Sequence, residues 1–262
     1  MSSGQANLPK QMSPGWGLVD SILKRIVPPT FPDREFVITR FGAAGDGTAD
    51  NRNAFARAIT ACAKAGGGRV IIPPGRYLTN GPIHLESNVN LHVEEDAEIV
   101  FGNNPSDYLP MVLVRWEGTE CHNYSPLVYA QGKTNIAITG KGTLNGQAQG
   151  TWALWKKKQN PDKATLRQMG NDGVPVEKRT FGPGHFLRPS MIQFFGCRNV
   201  LVEDVNCGSA KKYGVHIVGV EGAHINNVFL ENITIDKAKA ATKIEYTDRI
   251  EFRNVSINGE LQ

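Results

Sequence analysis

The chain has 262 residues, 40% apolar and 21% charged, with 28 glycines and a formal net charge of +4. That length can bury a large core, and the ratio of apolar to charged residues excludes a disordered chain. No apolar run reaches the roughly 18 residues needed to span a bilayer, and so small a basic excess does not imply nucleic acid as a partner.

The polar N-terminus, residues 1–20, lacks the apolar stretch of a secretory leader, so no signal peptide is expected in this chain. Residues 1–34 read as a lead-in, with a short amphipathic helix over Trp16–Val27 and an extended connector at Pro28, Pro29 and Pro32. Phe36–Phe41 alternates as a strand, and Gly42–Gly47 follows as a tight turn. Asp50 stands at an N-cap position before a helix over Asn51–Ala65, whose Phe55, Ala58, Ile59 and Cys62 form one apolar face. Gly66, Gly67 and Gly68 stop it. This glycine run is not a phosphate loop, because it lacks the Lys-Ser/Thr ending and follows a helix instead of opening one. Val70–Ile72 is a buried strand before the turn Pro73-Pro74-Gly75.

Beyond residue 80 the pattern changes to short recurrent strands: Ser87–Val93, Thr134–Ile138, Arg198–Val202, Asn226–Leu230 and Asp248–Phe252. Ile233–Ile235 and Val255–Ile257 are second strands close behind. The equivalent apolar residues Val89, Ile136, Val200, Val228 and Ile250 are separated by 47, 64, 28 and 22 residues. A period of about 22–28 residues carried by short strands is one coil of a parallel β-solenoid, whose apolar faces are buried only by stacking. A β-sandwich would instead place Asn-Gly or Asp-Gly turns between strand pairs, and few are found there. The Asn before several strands suits a left-handed turn residue and can stack as a ladder.

The 64-residue spacing contains an insertion, 147–188, expected as a surface loop. It holds Trp152, Trp155, Lys156, Lys157, Lys158, Arg167, Lys178, Arg179, His185 and Arg188. Aromatic faces stack on sugar rings and Arg pairs bidentately with carboxylates, so this projecting segment is the candidate binding region. Cys62, Cys121, Cys197 and Cys207 lack metal-ligand spacing and read as buried thiols, with room for one disulfide. His84, His92 and His216 fall on strand patterns as packing or surface residues. Asn232 and Asn254 fit the glycosylation sequon but coincide with strand turns.

Three segments carry a family resemblance. The first is Phe41–Asp50 (FGAAGDGTAD) with its helix and the run Gly66–Tyr77 (GGGRVIIPPGRY). The second is Ser125–Gly146 (SPLVYAQGKTNIAITGKGTLNG), and the third is Arg188–Asp204 (RPSMIQFFGCRNVLVED). Together they resemble glycoside hydrolase family 28, the polygalacturonases, of the bacterial exo-acting type. The resemblance implies an all-β fold, a right-handed parallel β-helix (solenoid) with a short N-terminal helical cap, formed as a single shortened domain over 35–262. It also implies inverting hydrolysis of α-1,4-galacturonan, secretion or a periplasmic location, and an acidic polysaccharide or oligogalacturonate as partner. The family's Asn-Thr-Asp, Asp-Asp, Gly-His-Gly and Arg-x-Lys motifs are not matched. Asp204-Val205 runs straight into a segment that looks like a late coil, which points to an internal deletion with its junction near 205.

The expected reading is therefore a polygalacturonase homologue without catalytic residues, with Arg188, His185 and Trp155 as substrate contacts, no metal, no cofactor, no membrane or nucleic-acid partner, and a monomeric state. Two alternatives stand beside it. One is an active glycosidase with a relocated pair among Asp172, Glu177, Asp204, Asp236 and Glu245. The other is a non-catalytic galacturonan-binding or structural β-helix.

Overall fold

The computed structural model describes residues 27–208 and, beyond them, the segments 215–218, 228–231, 234–235, 250–253, 255–257 and 260–261. The expected helix over Trp16–Val27, the acidic residues Asp236 and Glu245, and the sequon residues Asn232 and Asn254 lie outside these, save for Val27.

The described strands form a right-handed parallel β-helix. A seven-stranded sheet stacks Glu35–Val37, Gly68–Ile72, Val89–Val93, Thr134–Thr139, Arg198–Glu203, Val228–Glu231 and Ile250–Arg253 in that order. A five-stranded sheet contains Asp46–Asp50, Gly75–Thr79, Ala97–Phe101, Thr143–Asn145 and Asn206–Gly208. A four-stranded sheet contains Ile83–His84, Val128–Gln131, Ile192–Phe195 and Val215–Val218. Within a full coil the chain visits the four-, seven- and five-stranded sheets in turn, as in Ile83–His84, Val89–Val93 and Ala97–Phe101.

The register is the one the sequence spacing predicts. Val89 pairs with Ile136, Ile136 with Val200, Val200 with Val228 and Val228 with Ile250. A parallel row, Val70, Leu91, Ile138 and Val202, runs one pleat further along. Val70, Val89, Leu91, Ile136, Ile138, Val200 and Val202 are all fully buried in one core, each such side chain contributing about 1.5–3 kcal/mol relative to exposure. No coil could bury these residues alone, because each row is covered only by the rows above and below.

The expected asparagine ladder is present. Asn88, Asn135 and Asn199 hold φ values of 65°, 54° and 54°, and turn the chain into the seven-stranded sheet. Asn135 Nδ2 donates to Asn88 Oδ1 at 3.3 Å, and Asn199 Nδ2 donates to Asn135 Oδ1.

The N-terminal cap forms with adjusted boundaries. Phe36–Phe41 is not one strand: Glu35–Val37 is extended and Ile38–Phe41 is a 3-10 turn, closed by Gly42 at φ 87°. Helix α1 covers Arg52–Lys64, and Phe55, Ala58, Ile59 and Cys62 are its buried face, as expected. Its N-cap is Asn51 and not Asp50, which ends a strand. Asp50 still serves the helix start, because its Oδ1 accepts from the Arg52 and Asn80 amides at 3.0 Å each. The buried Asn51 ties this corner together, donating to the Ala44, Ala49 and Leu78 carbonyls and accepting from the Ala44 amide. All four cysteines are free and buried, so the disulfide allowed by their number does not form. Burial pushes Cys62 and Cys197 up to about 11, and Cys121 and Cys207 up to about 12.

The insertion is not a solvated loop. It folds into helix α2 (Thr151–Lys158), helix α3 (Asn160–Asn171), a 3-10 turn at Val176–Lys178 and a strand at Thr180–Phe181. Apolar residues account for the difference: Ala148, Trp152 and Trp155 join the main core, while Leu166 and Phe181 join a second cluster with Val114, Cys121 and Phe195. That second cluster underlies a side sheet, the antiparallel hairpin Val112–Trp116/Thr119–Asn123 extended by Thr180–Phe181.

The three sheets run on across residue 205. Ile192 pairs with Val215, Val200 with Val228 and Leu144 with Cys207, with no coil interposed.

Candidate functional site

Helix α3 packs on the side hairpin and α2 on the main core through Trp152 and Trp155, and the candidate residues gather around the joint between them. Gln159 forms that joint, with its amide bonded to the Trp155 carbonyl at 2.9 Å and its own carbonyl accepting from the Lys163 amide. The side-chain oxygen of Gln159 accepts from Arg188 Nε at 2.8 Å. Three residues on, Asp162 holds the segment before Arg188. One carboxylate oxygen accepts from His185 Nδ1 at 2.7 Å, and the other from the Phe186 amide at 2.6 Å. His185 also lies edge-on to Phe181, with ring centroids 5.1 Å apart. The Arg188 carbonyl accepts from Trp116 Nε1 at 3.0 Å, which fixes the chain on the hairpin side.

His185 and Arg188 are thus brought to one wall, about one helical turn apart along the start of α3. Lys158 joins them, its ammonium 5.0 Å from the centre of the Phe186 ring. This wall presents an imidazole and ammonium groups to solvent, since the His185 side chain is 42% exposed and Lys156, Lys157 and Lys158 are exposed. Trp155 departs from the expectation of an open stacking face. It is only 7% exposed and is enclosed edge-to-face by Tyr124, Trp152 and Phe186 at 5.1–5.5 Å. Its indole packs the wall from behind and leaves no free face for a sugar ring.

Of the five carboxylates considered for a relocated pair, three lie among the described residues, each at a different turn. Asp172 caps the end of α3 and accepts from Gln168 at 2.8 Å, and Glu177 is exposed on a 3-10 turn. Asp204 sits in a left-handed turn at φ 61°. Among the described residues, no group of three or more His, Cys, Asp and Glu side chains could hold a metal ion. Two structural partners were not legible in the sequence, Asp162 and Gln193. Asp162 meets His185 across 23 residues of chain, so no local spacing marks the pair. Gln193, fully buried in Ile192–Phe195, clamps the hairpin through both the amide and the carbonyl of Arg115. Arg188 and His185, expected as acidic-substrate contacts, therefore lie on one braced wall.

Comparison with known proteins agrees with this architecture. The family described as rhamnogalacturonase A/epimerase, pectate lyase-like, matches residues 36–93. The structure of a hyperthermoactive exopolygalacturonase from Thermotoga maritima superimposes with a TM-score of 0.73 and 40% identity, covering 93% of this chain and 51% of that one. An exo-poly-alpha-D-galacturonosidase of Dickeya chrysanthemi is 24% identical over 246 residues, 83% of this chain and 38% of the relative. The plasmin and fibronectin-binding protein A of Streptococcus pneumoniae is 32% identical over 200 residues, 71% of this chain and 26% of the relative. The chain spans about half the length of the Thermotoga enzyme and less of the other two. No helix among the described residues is long and apolar enough to cross a membrane. The chain is a glycoside hydrolase family 28, exopolygalacturonase-like, parallel β-helix.

Proposed function

We propose that this chain recognises galacturonan with little or no hydrolysis, the coils that carry the family's carboxylates being absent and the junction lying near 205. The continuity of all three sheets across that point supports the reading most directly. A solenoid loses whole coils without losing its core if the flanking strands restack in register, and Val200–Val228 and Ile192–Val215 do so.

The chemistry points the same way. Inverting hydrolysis needs two carboxyl groups about 6.5–9.5 Å apart, one to protonate the leaving oxygen and one to activate water. At the candidate wall Asp162 has both carboxylate oxygens committed to His185 and the Phe186 amide. It would have to release the segment before Arg188 to act as acid or base. What remains is suited to holding an anionic polymer: the Arg188 guanidinium, the His185 imidazole and the Lys158 ammonium, on a wall pinned by Gln159 and Trp116. A galacturonan partner places the protein's work outside the cytoplasm, in a secreted or periplasmic location.

The test measures reducing-sugar release from polygalacturonate, and separately the binding of oligogalacturonates, by the folded chain. The expected result is binding without turnover, weakened about tenfold or more in Arg188→Ala, as loss of a charge-assisted hydrogen bond would give. Turnover abolished by replacing one of Asp172, Glu177, Asp204, Asp236 or Glu245 would overturn it. A second reading, a non-catalytic β-helix that binds proteins, is favoured by the 32% identity to the pneumococcal relative, which is named for binding plasmin and fibronectin. Capture of immobilised plasmin or fibronectin by the chain, with no affinity for oligogalacturonate, would select that reading instead.

A further inference from the structure

The far end of α3 borders an open polar pocket of about 450 Å³, walled on its other side by the turn of the hairpin Val112–Trp116/Thr119–Asn123. Arg115, Arg167 and Arg179 line it together with Glu120, Thr119 and Asn171. Three guanidinium groups thus share one lining carboxylate. Arg115 pairs with Glu120 at 2.8 Å. Arg167 reaches Glu117 at 3.2 Å, but Glu117 also pairs with Lys163. Arg179 donates to the Val174 and Glu120 carbonyls at 2.7 and 3.3 Å, and no described carboxylate pairs with it. The pocket therefore carries an excess of fixed positive charge on side chains anchored at their backs. At the end of α3 the carbonyls of Gln168, Met169 and Gly170 are bonded by the Asp172, Val174 and Gly173 amides.

We infer that this pocket binds a hexuronate, with its carboxylate on the Arg167 and Arg179 guanidinium groups and its hydroxyls on Thr119 and Asn171. The volume falls within the range of about 300–1,000 Å³ common for small-ligand sites. The lining offers hydroxyl, amide and guanidinium groups and hardly any apolar surface, which suits a compact polyol acid and not an apolar ligand. The site is separate from the Arg188 wall. Asp162 and Gly170 lie eight residues apart on one helix, about 12 Å along its axis at ~1.5 Å per residue. The inference does not depend on the chain's binding polymeric galacturonan, since it concerns a single acidic sugar unit at another place.

The experiment titrates the full chain with D-galacturonate, and with D-galactose as the neutral counterpart, by calorimetry or ligand-observed NMR. Galacturonate is expected to bind about tenfold or more tightly than galactose, the difference a charge-assisted contact gives. Arg167→Ala, at a side chain 59% exposed, is expected to fold and to lose at least about threefold in affinity. Arg179→Lys keeps the charge but loses the planar fork, and is expected to lose about tenfold if circular dichroism shows it folded. If Arg179→Lys does not fold, Arg167→Ala decides. Equal binding of both sugars, absence of galacturonate binding up to about 10 mM, or binding that survives Arg167→Ala overturns the inference. Because the probe is a monomer and the variants lie at this pocket, failure here leaves the polymer-binding result readable on its own.

Discussion

His92 shows how a single side chain on the outside of the solenoid acquires a preferred charge state. Thr139 gives its hydroxyl hydrogen to Asn90 Oδ1 at 2.9 Å, so the same oxygen accepts from His92 Nδ1 at 2.7 Å. Partial burial holds the imidazole below its ordinary value of 6.5, and the Arg69 charge on the neighbouring strand adds to this, while Glu94 and Glu35 act in the opposite sense. The sign follows from the lowered folded value. The folded state prefers neutral imidazole, so this group's contribution is intact above about pH 6.5 and is lost as pH falls from there through the lowered folded value. His92→Gln is therefore expected to show a smaller drop in melting temperature than the parent chain between about pH 7 and pH 5. Parallel melting scans of the two chains check this. Identical pH slopes would mean that His92 titrates alike in the folded and unfolded chains. At this scale sequence reasoning placed His92 on a strand, but its partner Thr139 lies 47 residues away, one coil on, and only the register reveals it.

Among the elements, the asparagine ladder is where a sequence regularity has a direct energetic meaning. Asn135 occupies its middle rung, donating to Asn88 and accepting from Asn199 while holding φ at 54°. Replacement by Ala removes both side-chain bonds and leaves a Cβ in a left-handed turn, so Asn135→Ala is expected to cost about 2–3 kcal/mol. Asn135→Gly loses the same bonds without the backbone penalty, and is expected to cost about 1 kcal/mol less than Ala. Chemical denaturation of the three proteins separates the two contributions. Equal losses for Ala and Gly would show that the turn carries no backbone strain. The ladder was legible because it repeats with the coil. The insertion was not, because its helices are short and its cations mask the apolar positions. Trp152, Trp155 and Leu166 are spaced among Lys and Arg residues that read as a solvated surface, yet they are the residues that fasten α2 and α3 to the two cores. The same masking hid the Arg115–Arg179 pocket, whose walls come from the hairpin and the insertion together.

Across the whole molecule, the solenoid's period made the architecture readable: the row beginning at Val89 follows from counting, and the register agrees with the count. The ends obey a different logic. A stacked coil is covered on both sides by its neighbours, but the first has a neighbour on one side only, and α1 supplies the missing cover. Phe55, fully buried beside Ala58 and Ile59, packs against the core formed by Val70, Ile72, Leu85 and Leu91. Phe55→Ala is expected to cost about 3–5 kcal/mol at that site. In a quasi-one-dimensional structure the loss should be felt unevenly, since each coil is stabilised mainly by its nearest neighbours. Hydrogen exchange read by mass spectrometry should therefore show protection falling first in Gly68–Ile72 and Val89–Val93, with Thr134–Thr139 and Arg198–Glu203 holding closer to the parent. A uniform fall along all four strands would mean that the stack unfolds as one unit. The end cap would then secure the whole solenoid and not its first coils alone.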